Sequence, residues 1–509
     1  MGTILSIDLG TSALKLILVD SNGKLMGSVT ESYNIQIPQP GWAEQKPGDW
    51  IGALIKGVKR LKQESPDAMY DVAGIGITGQ MHGLVSLDKN GVPVCNAIIW
   101  ADKRCEEEVG ELEANFSLDT WMNMTGNRPN VSFTLPKILW LRHHVSNIFN
   151  RVSHFLLPKD YVRFWLTGNY ATDPTDASAT LMFDIVNKCW ADDVLTAFDI
   201  ERAMLPDILG SSDIAGVLSH EAAGLLDIRP GIPVICGLGD AEAQAVGNCV
   251  VDDDSWLCII GTGGQIFTPV DRVIVDKKAR VHTLCHGVPD KWHMMGATLS
   301  AGASLQWLAE HIFQVRGYKA YDELVNTVDL TSCGSDGLIF LPYLFGERTP
   351  IMDPKAKGAF IGFDFHHTKS HMVSAVLEGV LFSLYESINI LADLKGKYPE
   401  AITITGGAAQ SMVWRQMAAN IFGMPIIRHI DLAGSTYGAA ILTAVGLAMY
   451  PSIKACAEAW IEPGDVTHPN MVLHDNYLAY FDVYKGLYSS LKDPFDKLDT
   501  LYKGSANKF

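Results

Sequence analysis

The chain has 509 residues, 48% hydrophobic and 19% charged, with 46 Gly and 23 Pro, a composition that excludes fibrous, disulfide-stapled and wholly disordered classes. Single cores stop growing at roughly 250–300 residues, so two large domains with a cleft between them are expected. The net charge of −17 disfavours general attraction to nucleic acid or to an anionic membrane, and the nine Cys, with no C-x-x-C pair, suit a reducing cytoplasm.

Met1-Gly2-Thr3-Ile4-Leu5 runs directly into a strand-like segment, without the basic flank and apolar core of a signal peptide, and no apolar run reaches membrane-spanning length. The pattern predicts strands at Ile4 to Asp8, Ala13 to Asp20 and Leu25 to Tyr33, joined by Leu9-Gly10-Thr11-Ser12 and by Ser21-Asn22-Gly23-Lys24. In Asp8-Leu9-Gly10-Thr11-Ser12 a carboxylate at a strand end meets a glycine and two hydroxyls, the parts of a metal-phosphate cradle, although a capped tight hairpin would read the same way. Apolar residues at helical spacing from Pro47 to Ser65 predict a helix, followed by a buried strand from Val72 to Thr78.

Gly79-Gln80-Met81-His82-Gly83 then lies at a strand's carboxyl end, where α/β proteins bind ligands, and His82 can donate to a sugar oxygen. Trp100, Asp102 and Arg104 offer an indole face, a carboxylate and a guanidinium, a set suited to a polyol or, more plainly, to an ion pair at a helix start. Residues 103–230 mix helical and loop patterns and read as an insertion or lid. Pro233 to Asp240 reads as an apolar strand ending at an acid, with a small-residue helix from Ala241 to Gly247. Asp240 is then either a helix cap or a carboxylate held ionised by that helix end as base for a substrate hydroxyl. Gly237-x-Gly239 begins a dinucleotide fingerprint, but Glu242 stands where its third glycine belongs.

Near residue 254 the opening pattern returns: strand Trp256 to Ile260, turn Gly261-Thr262-Gly263-Gly264, strand Gln265 to Val270. Two such turns on facing domains could clamp a polyphosphate. A long helix from Ser370 to Leu394, strand Ile402 to Thr405, and helices Met412 to Phe422 and Tyr437 to Gly446 follow, with Gly406-Gly407 between strand and helix.

Together Asp8-Leu9-Gly10-Thr11-Ser12, Gly261-Thr262-Gly263-Gly264, Leu341-Pro342-Tyr343, Gly346-Glu347-Arg348-Thr349-Pro350 and Thr405-Gly406-Gly407-Ala408 resemble the FGGY family of carbohydrate kinases. The resemblance spans nearly the whole chain and implies an α/β, two-domain actin-like ATPase (ribonuclease H-like) fold. Residues 1–247 would be the sugar-binding N-terminal domain and 248–509 the nucleotide-binding C-terminal domain. Gly79 to Gly83, His282 to His286 and Leu305-Gln306-Trp307 are most similar to the family's xylulokinases, which phosphorylate D-xylulose at its terminal hydroxyl.

The resemblance implies Asp240 as catalytic base and Met81 and His82 as sugar contacts. It implies Asp8 near the magnesium-bound phosphates of ATP, and Thr11, Ser12, Lys15, Gly261, Thr262 and Gly263 around phosphate. Gly302, Gln306, Gly406, Gly407 and Ser411 would lie on the nucleotide side. Sugar and Mg2+-ATP are thus the expected partners, with no nucleic acid or membrane, and a homodimer is an open assembly. Two departures bear on the sugar: Ala241 follows Asp240 where the family usually has Asn or Gln, and Ala101 precedes Asp102 where xylulokinases commonly have Asn. Gluconate, ribulose, a pentitol or another ketose are the alternatives, and a nucleotide switch acting on a protein partner is a more distant one.

Overall fold

The computed structural model describes residues 2–429 and 434–506. The first sheet has seven strands: β1 (Thr3–Leu9), β2 (Ala13–Val19), β3 (Leu25–Ser32), β4 (Val72–Gly79), β5 (Ile214–Val217), β6 (Pro233–Ile235) and β7 (Leu238–Gly239). Their order is β5-β6-β4-β1-β2-β3, and β7 also pairs with β4. The β1–β2–β3 meander is antiparallel, whereas β4 runs parallel to β1.

The period-two pattern of β1 explains the layers. Leu5, Ile7 and Leu9 face a core shared with helix α1 (Pro47–Glu64) and helix α2 (Pro158–Thr167). Ile4 faces the opposite core, and Ser6 on that face donates to the Thr436 carbonyl at 2.6 Å. Asp8 belongs to this second face, at the end of the strand.

The second sheet also has seven strands: β8 (Leu257–Ile260), β9 (Gly264–Val270), β10 (His282–Cys285), β11 (Trp292–Thr298), β12 (Ile402–Thr405), β13 (Ile426–Arg428) and β14 (Asp465–Thr467). The order β10-β11-β9-β8-β12-β13-β14 again puts an antiparallel hairpin beside a parallel strand. Against the expectation that no apolar run reaches membrane-spanning length, the helix Lys369–Lys395 is long and apolar enough to cross a membrane by length and composition; its apolar stretch is mostly buried in the core of this half.

Two features differ from a split at residue 247. Helices Ser435–Gly446 and Ile453–Trp460, late in the chain, pack against Ile4, Ile17 and Val19 of the first sheet. The 103–230 region is more than a lid on one domain. Helix α2 belongs to the first sheet's core, while Phe133, Leu139, Phe183 and Trp190 form a separate core that includes Cys285 of β10. Asn127 donates to the Thr283 carbonyl (2.9 Å) and Trp292 to that of Ile185 (2.7 Å), so this region bridges both halves.

Candidate active site

The register of three parallel strands builds the acidic edge. Thr78 lies opposite both Asp8 and Leu238, and Gly79 opposite both Leu9 and Gly239. The chain segments leaving these ends are Gly10-Thr11-Ser12, Gln80-Met81-His82 and Asp240, so segments more than 200 positions apart in the sequence leave the sheet at one edge. Gly237 makes this possible: its φ of 85° breaks the strand predicted from Pro233 to Asp240, and a Cβ there would collide with the Ile77 carbonyl.

Gly239 is the cap and Asp240 the first residue of helix α3 (Asp240–Val246). The backbone N–H groups at this helix start favour the ionised carboxyl. Burial and the neighbouring Asp8 charge outweigh them and push its pKa up to about 7. The expectation of a carboxylate held ionised by the helix end therefore gives way to one poised near neutrality. Asp8 is also raised by burial. Its Oδ2 accepts from the Ser435 hydroxyl at 2.5 Å, Lys15 lies directly across on β2, and Oδ1 is buried with no hydrogen-bond partner among the described residues.

Met81 is buried against Ala179, Leu284 and Ala241, which gives the wall beside Asp240 an apolar corner. His82 takes the left-handed backbone (φ 65°), its ring edge-on to Phe133 at 4.8 Å. Its Nδ1 lies 2.8 Å from the Ala179 carbonyl, and burial drives the ring's pKa down to about 3. A carbonyl only accepts, so the single N–H of the neutral ring is spent there, and Nε2 is left to accept from a hydroxyl rather than to donate as the sequence suggested.

Trp100 is 36% exposed and donates its indole N–H to Thr11 Oγ1 at 3.0 Å, joining two segments singled out separately. Asp102 and Arg104 are a correction. Asp102 is fully buried; its oxygens accept from the Ala43 N–H (2.5 Å) and from Arg104, which also pairs with Glu44 (2.8 Å) and lies over the Trp42 ring. Both groups are occupied by each other and by residues some sixty positions earlier in the chain, so they brace the Trp100 loop instead of standing free for a polyol. Gln45 and Gln80 were missed. Gln80 donates to Gln45 Oε1 (2.8 Å), and Gln45 donates to the Thr11 carbonyl (2.6 Å), locking the first hairpin from beneath.

On the other half, the Gly261–Gly263 turn sits on the start of helix α4 (Gly302–Trp307). The Gly261 carbonyl accepts from Gly302 N–H (2.8 Å), and that of Thr262 from Ala301 (2.9 Å) and Ala303 (3.1 Å), with the Thr262 side chain exposed. A Cβ on Gly302 would lie 2.6 Å from the Gly261 oxygen, so glycine is required by close approach. Gly406 (φ 92°) packs on the Ile260 carbonyl, while Gly407 faces open space. Gln306 is exposed and donates to Glu310 (2.9 Å), and Ser411 caps the Met412–Phe422 helix by accepting from the Trp414 N–H. One turn along α3 from Asp240, Gln244 reaches Thr405 Oγ1 at 3.4 Å, so the helix bearing the acid touches the strand that ends at Gly406.

Residues 3–247 match the N-terminal domain of the FGGY family of carbohydrate kinases, and 256–447 match its C-terminal domain. The chain belongs to this family. It is 38% identical over 494 residues to a xylulose kinase of Staphylococcus epidermidis, covering 96% of this chain and 97% of that one. The crystal structure of a xyloylose kinase from Brucella ovis superposes with a TM-score of 0.90 at 31% identity, over 96% of this chain and 99% of that one. A gluconate kinase structure from Lactobacillus acidophilus gives a TM-score of 0.90 at 28% identity, over 98% and 99%. This FGGY chain is thus a carbohydrate kinase with a two-domain mixed α/β fold.

Proposed function

We propose that this FGGY kinase transfers the γ-phosphate of ATP to the terminal hydroxyl of D-xylulose, giving D-xylulose 5-phosphate, with Asp240 as the general base. The observation that carries the mechanism is the pair of carboxyls, Asp8 and Asp240, at the ends of the two strands that flank β4, with Asp240 raised to about 7. A base of that pKa is ionised in about half of the molecules at neutral pH and strong enough to take an alcohol proton as the O–P bond forms. Xylulose is favoured by the extent and identity of the match to the Staphylococcus epidermidis xylulose kinase.

Sugar enters beside Met81 and His82, with Trp100 flanking the entrance; His82 Nε2 accepts a substrate hydroxyl and Met81 packs against carbons. Thr11, Ser12 and Lys15 meet the phosphates from one side, and Gly261, Thr262, Gly263 and Gly302 from the other. Gly406, Gly407, Ser411 and Gln306 line the nucleotide's path. Magnesium fits the acidic edge, because Asp8 Oδ1 is buried and unpartnered. Mg2+ bound here would be held largely by phosphate and water, its usual ligands beside one or two carboxylates. When bound, Mg2+ supplies neutralisation of phosphate charge. The chain itself orients the hydroxyl, excludes water by closure of the cleft and accepts the proton on Asp240. A cytoplasmic setting suits the nine Cys, all free thiols.

The apolar corner at Ala241 favours a second reading, a family substrate with a hydroxyl missing or turned away there. Measuring ATP consumption across ketopentoses, pentitols, aldonates and ketoheptoses separates the two. The highest kcat/KM is expected for D-xylulose; faster turnover of an aldonate such as gluconate would transfer the assignment to the second reading.

A further inference from the structure

The turn that delivers Asp240 is gripped from behind by fully buried side chains that take no part in the scheme above. On one side of Gly237, the Cys236 carbonyl accepts from Arg163 (3.1 Å) and Lys159 (3.4 Å). On the other, the Gly239 N–H donates to Thr175 Oγ1 at 2.8 Å. That hydroxyl in turn donates to Asp173 Oδ2 at 2.7 Å, and the same carboxylate accepts from the Thr175 N–H (3.1 Å) and the Ser211 hydroxyl (2.7 Å). Lys159 stands 3.2 Å from Asp173 Oδ1 and pairs as well with Asp160 (2.7 Å) and Asp176 (3.3 Å). Lys159, Asp160, Arg163, Asp173, Thr175 and Asp176 all have no exposed surface.

Burying so many charges costs desolvation energy that close-packed apolar side chains would avoid, so the cluster is a poor device for stability alone. What it does supply is direction. A hydroxyl whose one proton is committed to Asp173 can otherwise only accept, and the amide it accepts from belongs to the residue before Asp240. A strand held only by packing at this point could shift along its neighbour, whereas two anchors flanking the left-handed Gly237 fix both position and rotation.

We propose that Thr175, oriented by Asp173 and Lys159, is a positioning residue for phosphoryl transfer: by holding the Gly239 amide it fixes where the Asp240 carboxyl meets the sugar hydroxyl. This rests on the reading of Asp240 as the base. Displacements of about 1 Å in a reacting group cost up to roughly 10²-fold in rate, which sets the scale of the effect.

The test is Thr175→Val, which keeps the volume and removes the hydroxyl, assayed with ATP and D-xylulose alongside Thr175→Ser. For Val, kcat is expected to fall roughly 10- to 100-fold while KM for ATP stays within about twofold, and Ser recovers most of the loss. In an Asp240→Asn background the Val change costs nothing more, because both act through one carboxylate. Wild-type kcat in the Val variant, a Ser variant no better than Val, or equal losses in both backgrounds would each overturn the proposal. If Asp240→Asn itself keeps wild-type turnover, the base assignment falls and the positioning role with it; an inert Asp240→Asn beside an unaffected Thr175→Val removes the positioning role alone. Should the Val variant fail to fold, Ser211→Ala loosens Asp173 without touching Thr175. There a severalfold loss of kcat at constant KM for ATP is expected, and unchanged kcat counts against the idea.

Discussion

The hairpin at Gly10–Ser12 joins β1 to β2, and that at Gly261–Gly263 joins β8 to β9; in each case the first strand has its antiparallel partner on one side and a parallel strand on the other. Topology is shared, yet the chemistry at the two tips diverges. The first carries Asp8, whose charge is felt by Asp240 across the neighbouring strand end. The second ends in Ile259 and Ile260, with no carboxylate, and its carbonyls are tied to the start of α4 by Gly302. One hairpin shapes a site through charge and the other through the position of backbone groups. One strand arrangement, used twice, thus carries a buried carboxylate at one tip and none at the other, the contrast on which the proposed division of labour rests.

The largest break in that contrast comes from the acidic half. Asp240→Asn should fold normally and lose sugar phosphorylation by about 10²–10⁴-fold, measured as ADP release with saturating ATP and D-xylulose. A loss of that size with KM for ATP unchanged places the charge chemistry on the first half. The neutral half is probed by Gly302→Ala, whose new Cβ must push against the Gly261 carbonyl. Displacing the second hairpin at a cost of about 1–3 kcal/mol should raise KM for ATP roughly tenfold to a hundredfold while KM for sugar stays put. The smallest change concerns the wall beside the acid. Ala241→Asn introduces a polar arm next to Met81, and a new hydrogen bond to the sugar should lower KM for D-xylulose by roughly two- to tenfold.

Both hairpins were legible in the sequence because a Gly/Thr turn between runs of strand-forming residues is a local signal, and the register then follows from pairing. Asp240 was legible for the same reason: an apolar run, an acid and a small-residue helix are contiguous. What escaped detection depends on distance along the chain. Asp102 and Arg104 left a polyol contact and an ion pair both open, and the ion pair is what forms; Trp42 and Glu44, which also engage Arg104, precede it by some sixty positions and so gave no local signal. Gln45 under Thr11 and Thr175 behind Gly239 have no sequence signature, since a hydroxyl or amide that grips backbone can come from any loop that passes nearby. The return of the Ser435–Gly446 helix to the first sheet was hidden too, as its apolar pattern specifies a buried helix but not which sheet buries it.

At the end of the first sheet one charge meets another, and the pH dependence of kcat/KM for D-xylulose tests that meeting most directly. As the proposed base Asp240 would act only when ionised, so activity should be present above its pKa of about 7 and fade as pH falls through that value. In Asp8→Asn the repelling charge is gone, the Asp240 carboxyl gives up its proton more easily, and the midpoint should move to lower pH. A profile that is flat between about pH 5 and 8, or a midpoint that stays where it was when Asp8 is neutralised, would contradict the account.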